Sequence, residues 1–373
     1  MSKRYGVSYK GSKSRIVDKL ATAIPFKGVE NFYDLFAGGC AVTHKMLLDG
    51  RYEHYYANDM DGQALRLFND GIHGKYKDEK RWISRDDFIA LKDKDPYVSC
   101  CWSFGNNQRD YLYSRKIEPY KMACHYAIVF DDFSLLRELC PEVCDVCVEA
   151  LDGVEDTHER RIKFGPTVVR WLKAHGTPEM VEGNPLYSSC HVKKDTKTRP
   201  QGTVRDLQSL QSLESLESLE RLESLERLER LERLERLERL ESLEISTSDY
   251  RLVEIKPNSV IYCDPPYSFT NTYSRKSSTK QPFNHQEFYD WCCEQNELVL
   301  ISEYTMPSDR FSEVWSTSHV QSICATKTSA VTEKLYVPAK QLAKYREMMG
   351  LAQEIEINKP RYVEQDMFAS AFL

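Results

Sequence analysis

The residues best suited to chemistry stand in the stretch Val260-Ile261-Tyr262-Cys263-Asp264-Pro265-Pro266-Tyr267. Apolar residues lead to an acid, two prolines and an aromatic. The apolar part reads as a buried strand. The prolines end it, because each lacks a backbone N–H for the ladder and fixes its own φ. Asp264 and Tyr267 are therefore expected at the carboxyl edge of a sheet, where open α/β folds bind ligands. A carboxylate, a backbone carbonyl and a flat aromatic suit one task in particular. The exocyclic amino group of a nucleobase is a poor nucleophile, because its lone pair is delocalised into the ring. Asp264 and the carbonyl of Pro265 can accept its two hydrogens and favour a pyramidal nitrogen, while Tyr267 stacks on a flipped base. Taken alone, the stretch also reads as a strand end with a Pro-Pro stop.

Such a site needs elements to position it, and earlier stretches supply candidates. Asn31-Phe32-Tyr33-Asp34-Leu35-Phe36-Ala37-Gly38-Gly39-Cys40 reads as a short strand entering a Gly-Gly turn, and Val42, Met46 and Leu47 then suggest a helix. Glycines at a strand-to-helix turn let a nucleotide-like ligand approach the backbone. About twenty residues on, Tyr55-Tyr56-Ala57-Asn58-Asp59 reads as a second strand ending in an acid, placed to hydrogen-bond a ribose hydroxyl. Tyr9-Lys10-Gly11-Ser12-Lys13-Ser14-Arg15 precedes a helical pattern that ends at Pro25. Lys13 could neutralise a carboxylate there, but the spacing before the lysine is not that of a P-loop.

In this order the stretches resemble the Dam-like, alpha-group family of DNA adenine-N6 methyltransferases. The matching residues are Tyr9–Lys13, Asp34–Gly39, Asn58-Asp59 and Asp264–Tyr267, within residues 5–90 and 255–305. The family's Phe-x-Gly-x-Gly appears as Phe36-Ala37-Gly38-Gly39-Cys40, with the second glycine displaced. The resemblance implies a Rossmann-like methyltransferase sheet that uses S-adenosylmethionine and acts on double-stranded DNA. By it, Lys13 holds the donor's carboxylate, Phe36, Ala37 and Gly38 line its methionine end, and Asp59 binds the ribose. Tyr9, Asp34 and Gly39 complete the cofactor set. Asp264, Pro265, Pro266 and Tyr267 form the catalytic set. Asp87-Phe88 looks like the family's next motif, at the donor's adenine; an acid capping a helix explains it almost as well. The aspartate that opens the catalytic motif favours adenine by resemblance. Methylation of cytosine or of RNA, or a DNA-binding module with a decayed site, are the alternatives.

Composition agrees with a globular chain. It has 373 residues, 41% of them hydrophobic, enough for two or three domains and a full-sized core. No run of 18 apolar residues exists to span a membrane, and Met1–Arg4 leads into no apolar signal region. A cytoplasmic protein is expected, with its 12 cysteines as thiols. A net charge of −6 argues mildly against nucleic acid. Local basic patches counter it: Lys3, Arg4, Lys10, Lys13, Arg15 and Lys19; the run 193–199; and Arg275, Lys276 and Lys280.

The middle of the chain is less legible. Between 97 and 127, aromatics such as Tyr97, Trp102, Tyr111 and Tyr113 read mainly as core. Asn106, Asn107 and Arg109 are candidates for base or phosphate contact. Cys140, Cys144 and Cys147 have an iron–sulfur spacing but also share one helix face, where buried cysteine packs as a small hydrophobe; the core reading is preferred, and no metal is expected. From 207 to 244, leucine recurs at every third position, mostly in Ser-Leu-Glu and Arg-Leu-Glu triplets. Three residues turn an α-helix by 300°, so these leucines spiral and make no coiled-coil seam. Glu-Arg pairs four residues apart still favour helix. The repeat reads as a slippage insert, or as a spacer that meets a protein partner.

The expected division is a cofactor-binding part, 1–104; a mainly helical target-recognition region, 105–206; the helical triplet repeat, 207–244; and the catalytic part, 245–373. The segment 308–373 is expected to hold short strands and a helix near 339–349.

Overall fold

A computed structural model describes residues 5–9, 11–175, 227, 242–267, 283–324 and 327–351. Seven strands form one sheet: β1 Asn31–Asp34, β2 His54–Asn58, β3 Leu243–Ser246, β4 Ser259–Cys263, β5 Leu298–Glu303, β6 Phe311–Cys324 and β7 Lys327–Pro338, in the order β3-β2-β1-β4-β5-β7-β6. The first five in that order run parallel, and β7 runs antiparallel to both neighbours. The fold is mixed α/β with a Rossmann-like sheet, as the sequence led us to expect.

Every residue of β4 and β5 is buried, because central parallel strands are covered on both faces. Alternation sorts their side chains into two cores. Phe32, Tyr55, Val260, Tyr262, Leu298, Leu300, Leu335 and Val337 face one side. They meet α1 (Val17–Leu20), α2 (Ala41–Asp49), α3 (Gly62–Ile72), α4 (Arg85–Leu91) and α5 (Pro96–Cys101). Tyr33, Ile261, Cys263, Val299 and Ile301 face the other and pack on Phe288 and Cys292 of α10 (His285–Glu294). The last described helix is α11 (Leu342–Met348), whose Tyr345 hydroxyl reaches Ala23 O at 3.1 Å.

The described part of 105–206 is mainly helical. It contains α6 (Glu118–Val129), α7 (Ser134–Leu139), α8 (Pro141–Leu151) and α9 (Thr157–His175), which bury a separate core around Cys124, Cys144, Cys147, Phe164 and Val168. Cys144 and Cys147 are thus packing residues on α8, and the ten described cysteines whose state is known are free thiols. Of the 97–127 aromatics, Tyr97, Trp102, Tyr111 and Tyr113 are buried, while Phe104 is exposed. No described helix is long and apolar enough to cross a membrane.

Two boundaries shift. The last triplet of the repeat, Ser242-Leu243-Glu244, enters the edge strand β3 rather than a helix, since Leu243 and Glu244 pair with Tyr55 and Tyr56. In 308–373 the strands are long rather than short, 14 and 12 residues, because β6 and β7 form one extended hairpin. Lys3, Arg4, Lys10, the run 193–199, residues 268–282 with Arg275, Lys276 and Lys280, residues 352–373, and the repeat from 207 to 241 apart from Arg227 lie outside the described residues.

Candidate active site

The sheet order reverses between β1 and β4: from β1 the chain moves outward to β2, and from β4 it moves the other way to β5. Connections that diverge from two adjacent strands leave a crevice beyond their carboxyl ends. Asp34 closes β1, Asp59 follows β2 and Asp264 follows β4, so three carboxylates converge on that crevice.

Asp34 is 1% exposed. Thr43 Oγ1 donates to its Oδ2 at 2.7 Å, while Oδ1 has no hydrogen-bond partner among the described residues. Burial pushes the Asp34 carboxyl up to about 7; the Thr43 hydrogen bond opposes this, and the charges of Asp264 and Asp59 add to it. Asp59 is organised by backbone: Gly38 N donates to Oδ2 and Asp61 N to Oδ1, each at 2.7 Å. Burial raises Asp59 to about 6 against those two N–H groups. Asn58, 2% exposed, ties the strand ends together. Its Nδ2 donates to Leu35 O and Ser248 O, and its Oδ1 accepts from Ser246 Oγ and Ser248 N.

The glycine turn is a close backbone crossing. Val7 N donates to Gly39 O at 2.8 Å, and a Cβ on Gly6 would fall 2.1 Å from that oxygen. Gly6 N is held in turn by His44 Nδ1 at 2.8 Å. Gly38, at φ 49°, lies under Tyr9, whose ring would stand 2.7 Å from an added Cβ. Cys40, where the resemblance expects the second glycine, takes the left-handed φ of 57° at the start of α2. That conformation costs a non-glycine residue roughly 1 kcal/mol, and the position thereby keeps the backbone shape a glycine would give. Phe36 turns aside into an aromatic cluster with Tyr250, Phe283 and Phe288.

Lys13 stands on a 3-10 turn, Lys13–Arg15, whose N-terminal Ser12 side chain accepts from Ser14 N. Its ammonium group is buried and lies 2.8 Å from both Asp264 oxygens. It also stands 3.9 Å from Glu333 Oε1 and 4.7 Å from the centre of the Tyr267 ring. Burial opposes the Lys13 charge, but Asp264 and Glu333 outweigh it and raise its pKa. Asp264 is raised as well, by burial first, with Lys13 pulling the other way. Tyr267 O–H donates to Glu333 Oε2 at 2.7 Å, and its ring meets the Tyr304 ring edge-on at 4.6 Å.

The structure therefore brings Tyr9, Lys13, Asp34, Gly38, Gly39, Asp59, Asp264 and Tyr267 to one sheet edge, with Ala37, Pro265 and Pro266 in the connecting backbone. Asp87 and Phe88 make contacts of another kind. Asp87 is exposed and completes a capping box with Ser84 at the start of α4, accepting from Ser84 Oγ at 2.6 Å. Phe88 is buried in the core beside Tyr111. Arg109 lies on the surface with Asp110 at 2.8 Å. The neighbouring Gln108 is buried and donates to Asp61 at 3.0 Å, which joins this loop to the rim of the site.

Glu333 escaped the sequence reading. It lies in β7 with Leu335 and Val337 on alternate positions, both of them core residues. An acid in phase with buried apolar residues was the signal available.

The residues present suit a nucleoside sulfonium donor. A glycine turn whose backbone N–H orients an acid, an acid whose oxygen lacks a partner among the described residues and an excess of carboxylates fit a ligand with an ammonium and a sulfonium charge. Residues 9–139 match the family model of the D12 class N6 adenine-specific DNA methyltransferases. No curated protein matches the chain. The matched span holds β1, β2, the glycine turn, Lys13, Asp34 and Asp59, and over these residues the chain is similar to that family.

Proposed function

We propose that this protein is a methyltransferase that takes the methyl group of S-adenosylmethionine and places it on N6 of an adenine flipped out of double-stranded DNA. What supports this most is the meeting of Asp34, Asp59, Asp264 and Tyr267 at the switch point between β1 and β4. Bound there, S-adenosylmethionine supplies a methyl group activated by a positive sulfur. Asp34 offers its unpaired oxygen to the donor's ammonium group, and Asp59, already oriented by Gly38 N and Asp61 N, offers its remaining lone pairs to ribose hydroxyls. Lys13 has three N–H donors; two meet Asp264, which leaves one for a carboxylate.

On the base side, Asp264 and the carbonyl of Pro265 receive the two amino hydrogens, and Tyr267 stacks on the adenine. Lys13 favours the ionised form of Asp264, in which the carboxylate accepts rather than donates. The work of these groups is positioning and hydrogen bonding, which suffices when both partners are held in line. The helices α6–α9 and the span up to 206 serve as the target-recognition region, and the repeat as a spacer.

The test is transfer of a tritiated methyl group to duplex DNA, single-stranded DNA and RNA, each digested to nucleosides. Label in N6-methyladenine from duplex DNA supports the proposal. Label in methylcytosine, or in RNA alone, overturns the substrate. Absence of both transfer and calorimetric S-adenosylmethionine binding would favour a DNA-binding module.

A further inference from the structure

Glu333 is a further buried acid at the site, 5% exposed, and no role assigned so far uses it. Together with Asp264 it faces one ammonium group, that of Lys13. A buried charge persists where it is paired or has a use. Two carboxylates and one ammonium group carry one net negative charge, so this group can take one proton and become neutral.

Resting on the methyltransferase reading above, we propose that Glu333 is a positioning residue that makes the Asp264–Lys13 pair a proton acceptor for the amino group being methylated. As the nitrogen–methyl bond forms, the methyl–sulfur bond breaks and its electron pair stays on sulfur. The nitrogen then sheds one hydrogen as a proton to Asp264. Without Glu333 the Asp264–Lys13 pair is neutral, and the proton shed by the amine leaves the pair with an uncompensated positive charge in a buried site. With Glu333 the same proton brings the group to neutrality. Glu333 acts at a distance from the base, through Lys13 and through the Tyr267 hydroxyl that it holds at 2.7 Å.

The groups around Glu333 agree with this role. Lys13 faces it from the N-terminal turn, and Asp264, Tyr262 and Tyr267 from β4 and its end. Tyr304, beyond β5, packs on Tyr267. The next residue on β7, Lys334, instead meets Glu313 of β6 at 2.8 Å. Glu333 is among the charges that raise Asp264, after burial and against Lys13; a raised carboxylate is the better proton acceptor.

The experiment compares wild type with Glu333→Gln, which keeps the acceptor for Tyr267 O–H and removes the charge, and with Glu333→Asp. Single-turnover methyl transfer is measured from pH 5 to 9, beside calorimetric S-adenosylmethionine binding and fluorescence of 2-aminopurine at the target base. Glu333→Gln should lower the plateau rate by about 10–100-fold and move the acid limb to lower pH. Binding and base flipping should change by less than about threefold, and Glu333→Asp should restore most of the rate. An unchanged rate and pH profile would overturn the proposal, as would a loss confined to binding. Infrared titration of the ligand-free proteins gives an answer independent of turnover. A buried carboxyl in wild type should protonate at higher pH than in Glu333→Gln, and identical titrations would overturn the proposal. Should wild type transfer no methyl group, the methyltransferase reading fails by itself while this titration still decides whether Glu333 sets the proton affinity of the cluster.

Discussion

Replacing Lys13 by methionine removes the ammonium group from between two buried carboxylates and keeps most of the side-chain volume. The contact is 2.8 Å to both oxygens of Asp264, whose side chain is 19% exposed against 7% for Lys13. At an effective dielectric of about 20, one such contact is worth roughly 6 kcal/mol of direct attraction. Part of that offsets the desolvation of Lys13 itself, so the net loss expected at pH 8 is about 3–5 kcal/mol, the usual result of breaking a buried pair from one side. The loss should depend on pH in a definite direction. Asp264 is already raised by burial with Lys13 present, and without the ammonium group it rises further. A raised carboxyl contributes its full stability below its unfolded pKa and loses it as pH climbs through the folded one. The gap between variant and wild type should therefore widen from pH 5 to pH 8. Near pH 5 it should shrink to about 1–2 kcal/mol, the cost of a neutral carboxyl without its partner. Urea unfolding at several pH values measures this, provided the slope with denaturant stays constant. Adding Asp264→Asn should recover much of the loss at pH 8. A loss below about 1 kcal/mol at pH 8, a loss independent of pH, or no recovery in the double variant would refute the reasoning.

Three further outcomes follow from the site. Asp34, raised by burial from 3.8 to about 7, costs the ligand-free protein about 4 kcal/mol once pH exceeds the folded value. Asp34→Asn should remove that penalty, so that by thermal melts it is more stable than wild type at pH 8 and near parity at pH 4, while it binds S-adenosylmethionine at least about tenfold more weakly. Gly6→Ala sets a methyl 2.1 Å from Gly39 O; calorimetry should show lost donor binding, and melts a loss of about 2 kcal/mol or more. Asp87→Asn weakens the α4 cap and should cost about 0.5–1 kcal/mol with donor affinity unchanged, whereas a contact to the donor's adenine would weaken binding as well.

How much of this was legible depended on whether the chemistry sat in a local pattern. Val260–Cys263 and Leu298–Ile301 announced themselves as central strands, because burial on both faces leaves nearly continuous apolar runs. Asp34, Asp59 and Asp264 were readable because each follows such a run. The pairing of Lys13 with Asp264 was not, since 251 residues separate them and only the sheet order brings them together. Asp87 shows an ambiguity instead: an acid at the start of a helix carries the same pattern whether it caps or binds, and its contacts here are those of a capping box with Ser84. Glu333 was hidden inside a hairpin whose alternation is visible but whose partner across the site is not. Ser242–Glu244 continued the triplet pattern in composition, yet pairing with β2 decided its conformation, as tertiary context overrides a helix-favouring composition.

The central claim is that Asp264, at the carboxyl end of β4, holds the adenine amino group for methyl transfer. The most direct test measures single-turnover transfer to duplex DNA by wild type and Asp264→Ala at saturating S-adenosylmethionine, with donor binding measured on the same preparations. The account predicts label in N6-methyladenine with wild type and a fall of about 10²–10³-fold in the variant, with donor binding retained. A variant that binds the donor and transfers methyl to adenine at the wild-type rate would contradict it.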